Sequence, residues 1–445
     1  MEEIKEKLPE LDSPGGSAEA QAEERPVFTP DLIEKIAAFV LYPLAFLYVR
    51  NLWTIAEELS PWDDQFLMRF WLLVFFVGFI VLAELLYRGV RRPWESWVWF
   101  GCAVVCLISL LLIHGRTWPD GAKTAFLHVF SVWWLLSRSG RLYEGESGHL
   151  LPLDALNGYV GIPVRDFFLR IRTVFHTLTH LGRGRSTSAS TLGWSALALA
   201  AAAGLFGIAA GLLIKADSGF AQMLEGVSGL FRFHLDWELV VDVLFSLPVG
   251  AYLFGLLDGT ARTDPEKLRE EGRRFCTGLE RLRRVPDGVW GVLMGVFVLF
   301  YAAFFALQFR YLFGAFTRTL PEGFIVSQYA REGFFELCKV MAVNFLLLWL
   351  VVRSARERAG KSRSLRIFTL ALLAESLLFS VVAASKLILY IDCFGFTPRR
   401  LQSCWLIGSL AFGCVCAGVS LLREKRTFRI WMIFSTVTAA LLTLY

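Results

Sequence analysis

Residues 366–391 read Arg366-Ile-Phe-Thr-Leu-Ala-Leu-Leu-Ala-Glu375-Ser-Leu-Leu-Phe-Ser-Val-Val-Ala-Ala-Ser-Lys386-Leu-Ile-Leu-Tyr390-Ile391. The stretch holds no Gly or Pro and only three charges. As a helix at ~1.5 Å per residue it reaches well past the ~30 Å of hydrocarbon in a bilayer. No alternation of polar and apolar residues marks it as a barrel strand. A segment of this length and apolarity is a membrane-spanning helix, because in lipid the backbone must satisfy its own hydrogen bonds.

The same reading extends outward to 36–54, 67–87, 96–114, 122–137, 193–214, 238–258, 288–309, 332–353, 401–422 and 428–444, giving eleven segments in all. The segments at 122–137 and 428–444 are short, so ten spans is the other count. Hydrophobic residues make up 55% of the 445 and charged residues 19%. These apolar residues form spanning runs instead of two or three soluble cores. The expected fold is therefore an all-α polytopic membrane protein.

Orientation follows from Lys and Arg. The loops after segments two, four, six, eight and ten hold well over twice as many as the other five. Positive loops stay in the cytoplasm, which puts the N-terminus inside and Tyr445 outside. Residues 1–30 carry eight acids against three bases and read as a disordered cytoplasmic tail, not a cleaved signal. The net charge of +5 sits mostly in the cytoplasmic loops, which points to membrane lipids as partners and not to nucleic acid.

Two cytoplasmic loops, 138–192 and 259–287, are long enough for structure. In the first, Val164, Phe167, Phe168, Ile171, Val174, Phe175 and Leu178 share one helical face, so residues 164–181 read as an amphipathic helix in the membrane interface. In the second, Thr263, Pro265 and Glu266 signal a helix start, with Thr263 as N-cap. His176 and His180 are four apart, but no third ligand is evident. Neither a metal nor a cofactor is expected, and the eight Cys residues read as small buried hydrophobes. Small residues recur every fourth position at Ala203, Gly207 and Gly211, at Gly291 and Gly295, and at Ser409, Gly413 and Ala417. Such stripes let helices approach closely, within the chain or across a homo-oligomer. Pro43 and Pro248 interrupt segments one and six.

The densest chemistry lies at the outer ends of segments seven to nine: Arg310-Tyr311-Leu-Phe-Gly314, Leu320-Pro-Glu322-Gly323, Tyr329-Ala-Arg331-Glu332-Gly333-Phe-Phe-Glu336-Leu337 and Tyr390-Ile-Asp392-Cys-Phe-Gly395-Phe-Thr397, followed by Arg399 and Arg400. These stretches resemble an uncharacterised family of bacterial multi-pass membrane proteins, a domain of unknown function, whose members read YLFG, LPEG, YARxGFxEL and YIDxxGLT. Leu247-Pro248-Val-Gly-Ala-Tyr252-Leu-Phe-Gly255 resembles the family's LPVxxYLFG stretch. Lys386 stands where that family usually has Arg. The resemblance covers about 190–430 and implies the bacterial cytoplasmic membrane, but no activity.

Charged residues inside spans face the bundle and need partners. Asp242, Asn344, Glu375 and Lys386 are the candidates for an interior polar network, and Glu336 with Lys339 can pair along one helix. The network is either an ion or polar-solute path or a device that fixes helix register. Arg331, Arg399, Glu322, Glu332 and Asp392 belong to the same outer surface, where arginines hold phosphate or snorkel to head groups. The function expected is transport, or a scaffold or regulatory role with its working surface outside. A rival lies in the first outer loop, where Glu57, Glu58, Asp63 and Asp64 resemble the carboxylates of lipid-linked glycosyltransferases.

Overall fold

The computed structural model describes residues 28–57, 64–113, 118–181, 237–309, 326–356, 362–423 and 425–445. The long helices are α1 (Leu32–Glu57), α2 (Asp64–Leu86), α3 (Trp94–Leu112) and α4 (Asp120–Ser139), then short turns α5 (Leu151–Leu156) and α6 (Ile162–Arg165), and α7 (Leu169–Leu181). After these come α8 (Trp237–Arg262), α9 (Pro265–Glu280), α10 (Asp287–Leu307), α11 (Val326–Ser354), α12 (Arg363–Phe394), α13 (Pro398–Arg423) and α14 (Phe428–Leu442). Ten of the eleven predicted segments fall on these helices, and segment 193–214 lies outside the described residues. Among the described residues, seven helices are long and apolar enough to cross a membrane: α1, α3, α8 and α10–α13. Pro43 and Pro248 lie within continuous helices and break neither.

Local chemistry sets several boundaries. Helix α4 stops at Gly140, whose φ of 70° suits glycine, and Arg141 N–H closes back on Leu136 O at 2.9 Å. Helix α3 ends under Lys123, which is fully buried and donates to Ile113 O at 2.6 Å, placing a cation at the negative end of the helix. The N-cap of α9 is Asp264, one residue later than expected, and its carboxylate accepts Glu266 N–H at 2.9 Å. Thr263 instead donates its hydroxyl back to Gly259 O. The amphipathic run 164–181 is not one helix, because it turns at residues 166–168. Thr173 and Thr177 face inward, while Phe168 and Ile171 point away from the protein.

Two cores form. The first joins α1–α4 and α8, and also takes Met432 and Ala440 from α14. The second joins α10–α13. Helix α14 packs on both α13 and α3, so the last hairpin couples the halves. The Ser409–Gly413 stripe serves this hairpin: Ser409 Oγ meets Ser435 Oγ at 2.6 Å, and a Cβ on Gly413 would stand 2.9 Å from the Trp431 indole nitrogen.

One face of the bundle is pinned by ion pairs. Arg138, almost fully buried, grips Glu84 in bidentate fashion at 2.9 and 3.0 Å and donates to the Tyr87 and Val90 carbonyls. Arg141 holds Thr263 O and Ala261 O at the end of α8, and Arg262 reaches Glu34 at the start of α1. At the same face Glu95, 1% exposed, receives Arg429 of α14 at 2.6 Å, the Trp99 indole at 3.0 Å and Ser147 N–H at 3.2 Å.

Candidate functional site

The second core holds a polar seam between apolar helices. Tyr301 of α10 donates to Asn344 Oδ1 of α11 at 2.8 Å, and Asn344 Nδ2 donates to Ser376 Oγ of α12 at 2.9 Å. Ser376 in turn donates its hydroxyl hydrogen bond to Leu372 O, and Ser380, one turn on, reaches Met341 Sδ at 3.4 Å. Asn344 and Ser376 are both essentially inaccessible, so three helices are stitched by a chain that no solvent replaces.

Glu375 sits next to Ser376 on α12, half-buried, and its Oε2 is buried with no hydrogen-bond partner. A carboxylate oxygen left in this state costs several kcal/mol in apolar surroundings if ionised, on the order of what buried charges demand. Lys386 lies further along α12, 1% exposed, pressed against Gly333 so closely that a Cβ there would collide with Nζ. Glycine is the residue that admits the lysine. Between Glu375 and Lys386 stands an aromatic block in which Phe379 contacts Phe305 at 4.5 Å and Tyr301 edge-on at 5.2 Å.

Of the residues expected to share a network, Asn344 bonds Ser376, the chain neighbour of Glu375, while Lys386 lies about three turns further along α12, beyond the aromatic block. Glu336 lies within electrostatic reach of Lys386. No ion pair joins Glu336 to Lys339, and both side chains are exposed. Asp242 is buried in α8, which belongs to the first half-bundle. Asp392 and Arg399 are exposed at the far end of α12 and the start of α13, while Arg400 folds over Tyr390 at 4.2 Å and donates to Gly395 O. Arg310, Glu322, Arg331 and Glu332 lie outside the described residues or have side chains outside them, as do Glu57, Glu58, Asp63 and Asp64.

The sequence reading passed over three groupings. Tyr301, Ser376 and Ser380 carry the seam. Ser376 and Ser380, four apart inside an apolar run, were the available signal. Tyr48 OH meets His128 Nε2 at 2.6 Å across α1 and α4, with His128 Nδ1 on Thr124 O at 2.6 Å. The third is the Glu95–Arg429 pair, which joins residues far apart in sequence.

The Leu247–Gly255 stretch also acquires a physical role. Tyr252 OH donates to Tyr159 O at 2.9 Å, and a Cβ on Gly255 would lie 2.9 Å from Pro163 O, so α8 presses directly onto the backbone of the 157–166 segment.

Residues 101–445 match a family model described as "Domain of unknown function (DUF4153)". No curated protein and no solved structure matches the chain.

Proposed function

The chain belongs to the DUF4153 family, and on that premise we propose that it is a multi-pass protein of the bacterial cytoplasmic membrane that moves a proton or small cation through its second half-bundle. The observation that carries this is the unpartnered Glu375 Oε2 beside the Tyr301–Asn344–Ser376 chain. An ionisable group inside a span is expensive and by default has a function. A carboxylate without a fixed partner can take up and release a cation, whereas a fully paired one only fixes helix register.

Eleven crossings and a cytoplasmic N-terminus fit this reading. Helices α4 and α8 end at the same face, as Arg141 on Thr263 O requires, and α7 lies near that face, with Arg172 over Phe28. The face that gathers Arg138, Arg141, Arg262 and Arg429 would be cytoplasmic by the positive-inside rule.

The test uses the full chain in proteoliposomes under imposed proton, sodium or potassium gradients, read with dyes for pH and cations. The expected result is protein-dependent flux of one of these ions, lost in Glu375→Gln while the variant stays monodisperse. Flux no greater than in empty liposomes for all three gradients, or unchanged flux in Glu375→Gln, overturns the proposal.

A further inference from the structure

At the face where α3 and α14 begin, a cavity of about 290 Å³ opens between Trp94, the loop 144–149 and the start of α14. One wall is charged, with Glu144, Glu146, Arg426 and Arg429. The other is apolar, with Trp94, Ile430 and Ile433. Trp94 and Ile430 are 60% and 57% exposed, so the mouth has an exposed apolar lip.

The charge balance around the cavity decides what it can accept. Arg429 is already engaged by buried Glu95 and by Glu146, and its guanidinium covers the Trp94 ring at 4.9 Å. Arg426 lies 3.8 Å from Glu144, and its side chain is mostly exposed. Asp154, buried behind the loop, lies within electrostatic reach of both Glu144 and Glu95. At the cavity wall Glu144 and Glu146 thus stand beside Arg426 and Arg429, so the site offers both carboxylate acceptors and guanidinium donors, as a zwitterion requires. Among the described residues, no three metal-ligating side chains converge to hold a metal ion. Ser147 lines the cavity, is fully buried, and its Oγ has no partner. A primary ammonium has three N–H donors, and Glu144, Glu146 and Ser147 Oγ supply three acceptors. Exposed Arg426 stands at the same cavity as a ready donor to a phosphate.

We propose that this cavity is a headgroup site for a phospholipid bearing a primary amine, with its ammonium between Glu144, Glu146 and Ser147, its phosphate toward Arg426 and its chains along Trp94 and Ile430. The inference rests on the chain spanning a membrane and is independent of Glu375. The recognised chemistry is the phosphoethanolamine group, and its source is the lipid.

Native mass spectrometry of the purified full-length chain tests it, with phosphatidylethanolamine, phosphatidylcholine and phosphatidylglycerol of identical acyl chains offered at equal concentration. Wild type is expected to retain the ethanolamine lipid about fivefold over the other two, a preference of about 1 kcal/mol. Glu146→Gln and Trp94→Ala, both at exposed side chains, are expected to abolish that preference, and Glu375→Gln to leave it intact. Equal retention of the three lipids by wild type, or an unchanged preference in both cavity variants, overturns the proposal. Competition by soluble glycerophosphoethanolamine at the same concentration as the lipid assigns the cavity to a free zwitterion and also overturns it.

Discussion

Replacing Arg429 by Met removes the cation that faces a deeply buried carboxylate. Glu95 is 1% exposed, so its carboxyl would be left in the interior without its cation. Removing one partner of a buried pair typically costs about 3–5 kcal/mol. Here the cost should fall near the lower end, about 3 kcal/mol, because Glu95 keeps the Trp99 indole at 3.0 Å and the Ser147 N–H at 3.2 and 3.3 Å. The second contact of Arg429, to Glu146, is half in solvent, so Glu146→Gln should cost below about 1 kcal/mol. Unfolding in mixed SDS–maltoside micelles, followed by tryptophan fluorescence, measures both. A double-mutant cycle adds Glu95→Gln, and the double variant should be less destabilised than the sum of the singles by about 1.5–3 kcal/mol. Arg429→Met within about 0.5 kcal/mol of wild type, or strictly additive singles, would refute the claim that this pair locks the last hairpin to α3.

Asp154 is pushed from its ordinary 3.8 up to about 7, first by burial and then by Glu144 and Glu95, against the Tyr143 N–H bond. Its carboxyl stays protonated in the fold after the unfolded chain has lost its proton. The stability it contributes is therefore complete below pH ~4 and lost as pH rises toward ~7, by up to about 4 kcal/mol. Asp154→Asn should flatten that part of the stability–pH curve, and a curve parallel to wild type across this window would count against it. Gly255→Ala should cost about 1–3 kcal/mol, since the new methyl meets the backbone oxygens of Pro163 and Asp166 at 2.9 and 3.0 Å; a neutral melting temperature would show that the segment can move aside. Asn344→Leu leaves the Tyr301 hydroxyl buried without an acceptor and should cost about 1 kcal/mol, read by the same micelle unfolding, with no loss contradicting the seam.

How far the fold was legible depended on the type of signal. Long apolar runs with few charges define helices locally, so α3, α8 and α10–α13 could be read without knowing their neighbours. Single-residue boundaries were less secure: Thr263 and Asp264 are both capable N-caps, and only the geometry of the preceding helix decides that Thr263 closes it. The continuous apolar face at 164–181 concealed a turn, because periodicity does not record that α8 presses on that backbone at Gly255 and on the Asp166 side chain at Gly259. Within the candidate site, Glu375, Lys386 and Asn344 stood out because charge and amide are rare in spans. Tyr301 and Ser376 did not, since hydroxyls occur throughout apolar helices, where they bond their own backbone. The partner of Glu95 was beyond sequence reasoning altogether, because it comes from the last hairpin and no local pattern relates the two.

The most direct test of the central claim is labelling of the full chain in its membrane with a hydrophobic carbodiimide, mapped by peptide mass spectrometry. The reagent reacts with protonated carboxyls in apolar surroundings, and an unpartnered Glu375 should form the stable adduct, with protection as pH or the transported cation is raised. No adduct at Glu375, or labelling indifferent to pH and to every cation, would contradict the proposal that this carboxyl takes up and releases an ion.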